Sequence, residues 1–418
     1  MTSIERHRRR YVRRVIARSE KKKAFLEEHG RFELCSSRNA VGRSAEEASH
    51  GSAHKESTKK YMLYRLKNDA ITSDKMNDDR NICGGFICFK VNERGKTRKI
   101  MSVHFKERVA QKSLNQNILI PCMMRSNIYD NGASQKEKGG AFFHSELTKH
   151  LIRHYKKYGS EGYALLLDFH DFFGSADHKV IKRNIFDAMK ILDMVKLRWM
   201  CFDIRVVKLA YQFIDAYKRH KMRKEHMDEE SAAFGVGLGS EVNQTVMVTY
   251  PNKIDHYIKE ILQIKNFDRY MDDSILIHHS LSYLKICFEM IKEKCKELGI
   301  TLNEKKSQIV KLTHGFTICK VKYNYGRNGA VIRRATRKKF SRERVKLKKQ
   351  YEMFIEGKLS FEDVLFSYAS WRGSLIQNKD KRNRKPHTFH NTSMMCHRSL
   401  RKMDMAFNDM FVSQRRSA

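Results

Sequence analysis

Residues 267–280, FDRYMDDSILIHHS, place two adjacent aspartates, Asp272 and Asp273, between Tyr270-Met271 and the apolar run Ile275-Leu276-Ile277. Adjacent carboxylates at a tight turn repel each other, and flanking strands desolvate them. A hard cation such as Mg²⁺, which prefers oxygen ligands, neutralises such a pair. A plain Asp-Asp turn is the blander account of the same residues. A third carboxylate, Asp168, ends the apolar run Tyr163-Ala-Leu-Leu-Leu within LLLDFHDFFGSADH at 165–178, where an unpaired charge is costly. Brought together, the three would hold two divalent ions about 4 Å apart, Mg²⁺ with Mn²⁺ as substitute. Such a pair activates an attacking hydroxyl and stabilises a leaving phosphate group. The alternative for Asp168 is to cap the following helix, which Asp171 could do instead.

These carboxylates need a frame. Alternating and continuous apolar runs predict a strand at 163–168 and a hairpin at 267–278. Helical periodicity predicts helices at 104–120, 143–157, 177–190, 200–222, 241–261 and 281–298, with Pro251 breaking the 241–261 segment. The segment FICFKVNERGKTRKI at 86–100 reads as a hairpin turning at Asn92–Lys96. Residues 36–60, rich in Ser, Ala, Gly and His, read as a surface loop with a short helix. Residues 1–30 read as a basic helix in which Arg8, Arg9, Arg10, Arg13, Arg14 and Arg18 surround Tyr11, Val12, Val15 and Ile16. It is either a solvated face or an arm that grips phosphates, and the charge of the whole chain favours the arm.

That charge is +37 over 418 residues, with 84 Lys+Arg against 47 Asp+Glu. Nucleic acid is the natural partner for such a surface, and an anionic membrane the second. No apolar stretch spans a bilayer and no apolar segment follows the basic N-terminus as in a secretory signal, so a cytoplasmic protein with no membrane partner is expected. The nine cysteines include no Cys-x-x-Cys pair, which fits reduced thiols better than disulfides or zinc.

Asp168 followed by Phe172-Phe173, then Tyr-Met-Asp-Asp at 270–273, resembles the palm of reverse transcriptases. Prokaryotic and prophage members are the most similar: group II intron proteins, diversity-generating retroelements and antiphage-defence enzymes. The similarity runs from about residue 86 to 325, in the family's order. It implies an α+β right-hand polymerase, with Asp168, Asp272 and Asp273 as catalytic metal ligands. It also implies a dNTP substrate, an RNA template, a DNA or RNA primer and, as a candidate partner, a dedicated non-coding RNA. Phe173 takes the position that stacks under the incoming sugar and excludes a 2′-hydroxyl; the plainer account is a core aromatic. Gly237-Leu-Gly-Ser-Glu-Val-Asn-Gln244 stands at the glycine loop that lets backbone approach the nucleotide, with Gly239 and Gln244 as nucleotide-binding residues. Gly237 replaces the family's frequent proline. LGITLNEKKSQIV at 298–310 is similar to the Leu-Gly-x-x-Leu-Asn-x-x-Lys element, placing Lys306, or its neighbour Lys305, near the triphosphate to protonate the leaving pyrophosphate. Lys96 and Arg98 in the first hairpin are the candidates for clamping the triphosphate. Tyr270, Met271, Gly315, Arg333 and Arg337 are the candidates for holding primer and template.

The implied layout is a basic N-terminal extension (1–75), fingers (76–160), palm (161–325) and a basic helical thumb (326–418). Arg333, Arg334, Arg337, Lys338, Lys339, Arg342 and Arg344 would line the duplex path. His278-His279 reads as surface, and His387, His390 and His397 do not suffice for a nuclease. The rival readings are a non-catalytic nucleic-acid-binding protein on a polymerase scaffold, an RNA-synthesising polymerase, and one that works without a template. Mobile element, sequence diversification and phage defence all use such a core.

Overall fold

The structure is a computed structural model that describes residues 3–93, 96–193, 195–196, 198–376 and 399–412. At its centre is a four-stranded antiparallel sheet. Its strands run in the order Phe267–Tyr270, Asp273–His278, Tyr163–Asp168 and Gln308–Lys311. The strand Tyr163–Asp168 is interior and covered on both faces, which is why its sequence is continuously apolar rather than alternating. Leu165 and Leu167 face the larger core, with Ile181, Leu209, Val246 and Leu276. Ala164 and Leu166 face a second core with Phe143, Leu147 and Leu151 of the helix Gly140–Tyr158.

The hairpin Phe86–Glu93 and Lys96–Val103 forms as expected. Its base is tied to the rest of the molecule by a backbone bond from Met101 N–H to the Leu238 carbonyl (2.8 Å). The helix predicted at 104–120 runs Phe105–Leu114 and widens into a π-turn over Asn115–Leu119. The segment at 241–261 is a helix Glu241–Thr249 that stops before Pro251 and resumes at Asn252–His256. The basic arm is one helix, Ser3–His29.

Two expectations need correction. Residues 36–60, expected as a surface loop with a short helix, are more helical and more buried than that: the helix Arg38–Ser49 buries Ala40, Val41, Ala45 and Ala48. The small side chains that read as a loop instead permit close packing. Gly42 lies beside the Arg65 guanidinium and the Asp69 carboxylate, within 3.4 Å of where a Cβ would stand. The helical C-terminal region expected from about 326 begins instead at Arg337. A three-stranded sheet of Phe316–Ile318, Val321–Tyr325 and Val331–Ala335 precedes it. Helices Arg337–Ile355 and Phe361–Ile376 share a separate small core with Met403, Phe407 and Phe411. His387, His390 and His397 lie outside the described residues. Among the described residues no helix is long and apolar enough to cross a membrane.

Candidate active site

The register of the central sheet places Asp168 directly opposite Asp273, at the end of both strands, with Asp272 at the turn between Tyr270 and Asp273. Met271 completes that turn with φ of 58°, a left-handed conformation that a non-glycine residue holds only when the surroundings impose it. Arg269 imposes it. Its fully buried guanidinium donates to the Met271 carbonyl (3.1 Å), to the Val248 carbonyl (2.8 Å) and to the Asp255 carboxylate (2.8 and 2.9 Å). Neither Arg269 nor Asp255 stood out in the sequence. The only signal was two charges in otherwise apolar segments.

The Leu-Asn-x-x-Lys element wraps Asp168. Asn303 Nδ2 and Lys306 Nζ each donate to Asp168 Oδ2 at 3.0 Å, and the Asp168 N–H donates to Ser307 Oγ (3.3 Å). The Asn303 N–H closes the loop on the Asp168 carbonyl (2.7 Å). Asp168 does not cap the next helix; Asp177 does, accepting from the Lys179 N–H at 2.7 Å. Asp171 does not cap it either. Lys305 is exposed beside Lys306.

Asp272 reaches solvent, yet the protein crowded around it, and then Asp168, raise its carboxyl above the usual range. Half-buried Asp273 is pushed up to about 6, first by burial and then by Asp272. The Cys319 thiol donates to Asp273 Oδ2 (3.5 Å). Arg98, on the first hairpin, opposes the rise at Asp272, so hairpin and aspartates share one electrostatic environment. The side chain of Lys96 lies outside the described residues. Carboxylates that resist ionisation beside one another are the donor set a divalent cation stabilises.

Asp168, Asp272 and Asp273 do not bring three carboxylate oxygens, one from each, all within 4.8 Å of one another. Among the described residues, Asp130, His150 and Asp268 do bring one ligand atom each that close together. In that group Lys259 Nζ sits 2.7 Å from Asp130 and His150 Nδ1 sits 2.7 Å from Asp268, while Asp268 Oδ1 is buried without a hydrogen-bond partner.

The glycine loop is shaped for close approach. Gly239 has φ of +123°, and a Cβ there would stand 2.9 Å from the Met101 carbonyl oxygen. Ser240 caps the following helix at the Asn243 N–H (3.2 Å), and exposed Gln244 donates to Ser134 Oγ (2.7 Å). Half-buried Phe173 packs edge-on against Phe172 (5.7 Å) at the rim of the main core.

Residues 90–342, more than half of the chain, match the model of the family described as reverse transcriptase (RNA-dependent DNA polymerase). The chain belongs to the reverse transcriptase family. Its fold is the α+β right hand of such polymerases. Among solved structures, it is similar to apo telomerase from Candida tropicalis truncated from its C-terminal domain. The identity is 14%, covering 57% of this chain and 53% of that one, with a TM-score of 0.40. It is also similar to telomerase from Candida albicans in complex with a fragment of telomeric RNA. Here the identity is 10%, covering 59% and 44%, again with a TM-score of 0.40. This reverse-transcriptase chain thus spans about half the length of those telomerase chains. No curated protein sequence matches it.

The candidates for primer and template are spread more widely. Tyr270 leans on Phe143 (5.8 Å) at the end of its strand. Gly315 turns with φ of +70° where a Cβ would collide with Asn324 Nδ2 at 2.1 Å. Arg333 departs from expectation: it is 8% exposed, and its guanidinium donates to the His144 carbonyl (3.2 Å) rather than opening onto a channel. A strand position facing the second core, not a helix surface, explains this. Arg337, in the first turn of the C-terminal helix, is exposed.

Proposed function

We propose that this chain is an RNA-directed DNA polymerase acting in the cytoplasm as part of a prokaryotic retroelement or antiphage-defence system. The observation that carries the activity is the register of Asp168 against Asp273, with Asp272 at the turn and Lys306 on Asp168. The host system rests on the sequence similarity of the Asp168, Tyr-Met-Asp-Asp and Leu-Asn-x-x-Lys elements alone. The substrates are a deoxynucleoside triphosphate, a primer and an RNA template.

The reaction is attack of the primer 3′-hydroxyl on the α-phosphate, with release of pyrophosphate. Asp168 and Asp272 would hold two Mg²⁺ ions, with Asp273 supporting them; such ions acidify the attacking hydroxyl and stabilise the leaving oxygen. Lys306, freed from Asp168 when a cation takes that carboxylate, would face the triphosphate as a proton donor. Arg98 would clamp the phosphates from the hairpin, which the Met101–Leu238 bond holds over the glycine loop. Phe173 would pack under the sugar and disfavour a 2′-hydroxyl.

Primer extension on an RNA template, with Mg²⁺ and either dNTPs or rNTPs, tests this. The reading expects dNTP-dependent extension that Asp272→Asn abolishes while the variant melts at the wild-type temperature. Extension by that variant at the wild-type rate would overturn the site assignment.

A further inference from the structure

A cavity of about 420 Å³ lies where the basic arm meets the body of the molecule, within the size range of sites that enclose small ligands. Its walls carry four cations, Arg18 and Lys22 from the arm, Arg125, and Lys253, against one carboxylate, Asp187. Asp187 is engaged by Lys190 Nζ at 2.7 Å and, more loosely, by Lys253 Nζ at 3.8 Å. Arg18 and Arg125 have no carboxylate partner within salt-bridge distance among the described residues. The Arg125 guanidinium carbon sits over the Phe25 ring, 4.2 Å from its centre, and such an aromatic–guanidinium pair is a platform of the kind on which bases stack. Lys22 Nζ donates to the Asp187 backbone carbonyl (2.6 Å). Burial and the neighbouring Lys190 push its ammonium down to about 8, which leaves it largely charged at neutral pH, and an incoming anion would offset both effects. Asn252 donates to Ser126 Oγ (2.9 Å) and to the Ser126 carbonyl (3.0 Å), leaving its own Oδ1 buried without a partner.

The cavity is separate from the aspartates. Asp187 and Ala188 stand at the last turn of the helix His178–Met189, roughly 14–15 Å from the end that follows Phe173. Thr249 is the last residue of the helix Glu241–Thr249, whose first turn follows Gly239. Both helices present one end to the candidate active site and the other to this cavity. The arm leads into it: Arg6, Arg8, Arg9, Arg10, Arg13 and Arg14 are exposed on the same helix that supplies Arg18 and Lys22.

We infer that this cavity is an anchor for single-stranded RNA, taking one nucleotide of a strand whose phosphates follow the arginines of the arm. A duplex cannot enter a space of this volume, whereas one nucleotide can. Four cations around one stacking platform match a phosphate next to a base. The choice of RNA rests on the polymerase reading, but the binding is assayed without dNTPs or Mg²⁺, so each can fail without the other.

The test uses the full chain, a short fluorescein-labelled single-stranded RNA and anisotropy titrations over a range of KCl. Arg18→Gln combined with Lys253→Gln alters two exposed side chains, and its melting temperature reports whether it folds. The expected result is roughly tenfold weaker binding, with a salt slope shallower by about 1.4, two contacts at about 0.7 each on a single strand. A second, variant-free measurement is photocrosslinking of 4-thiouridine RNA to the wild-type protein, with crosslinks expected in the peptides containing Phe25 and Met123. Unchanged affinity and slope in the folded variant, or crosslinks only elsewhere, would overturn the inference. So would ATP binding that the variant loses while RNA affinity stays unchanged, which would mark a free-nucleotide site instead.

Discussion

Lys306 Nζ lies 3.0 Å from Asp168 Oδ2, so the final lysine of the Leu-Asn-x-x-Lys element is held by a carboxylate proposed to bind metal. That contact raises the lysine above its ordinary range, and a lysine released from it is still protonated at neutral pH. A protonated lysine beside the phosphates is poised to give its proton to the leaving pyrophosphate. Removing a positioned general acid typically lowers a rate by about 10²-fold or more. Lys306→Ala should therefore lower the single-turnover extension rate by about that factor with a smaller change in dNTP KM, and Lys306→Arg should retain part of the rate. A wild-type rate in Lys306→Ala would remove the lysine from the chemistry.

Asp255 and Arg269 form a fully buried ion pair beneath the Tyr-Met-Asp-Asp turn. Asp255→Ala leaves the guanidinium buried and uncompensated, which costs about 3–5 kcal/mol. Denaturant melts should show a loss of that order, and the turn at Met271, which leans on the same guanidinium, should loosen with it. A loss below 1 kcal/mol, on the scale of an exposed pair, would contradict this account of the turn.

Phe173 follows Asp168 by five residues and sits half-buried at the core rim. If it gates the sugar, Phe173→Ala should raise rNTP relative to dNTP incorporation by roughly 10- to 200-fold, the range that one shape-selective pocket supplies. Competition between dNTPs and rNTPs measures it directly. An unchanged ratio with a lowered melting temperature would leave Phe173 as core alone.

His144 is held well below its ordinary value, at about 4, first by burial and then by Arg333 and Lys339, while its Nδ1 lies 2.6 Å from the Tyr323 hydroxyl. The unfolded chain takes up this proton near 6.5, so stability is present above that pH. It falls as the pH drops from 6.5 and is fully lost below about 4. Two to three pKa units correspond to about 3 kcal/mol. Urea melts between pH 7 and 4 should show this loss, and His144→Gln should flatten it. Equal pH dependence in both proteins would refute it.

The elements carrying the aspartates were legible in the sequence because they are periodic and local. The Tyr163–Asp168 run, the hairpin at 267–278 and the break at Pro251 all stand where pattern and turn chemistry place them. The burial of the helix Arg38–Ser49 was not legible, because Ala, Ser and Gly mark a surface loop and a closely packed helix alike. Arg333 was misplaced because charge predicts exposure, whereas a strand facing His144 and Tyr323 buries it. Asp255 and Arg269 pair across 14 residues of chain, so no local window reveals them, and the motif that contains Asn303 does not reveal its bond to Asp168, 135 residues away.

The most direct measurement of the central claim is to recover the tagged protein from cells carrying its native neighbouring DNA and sequence the nucleic acid bound to it. The control is the double variant Asp272→Ala, Asp273→Ala. The account predicts complementary DNA on the wild-type protein that is missing from the variant, with reads that name the template. The same RNA on both proteins and new DNA on neither would contradict it.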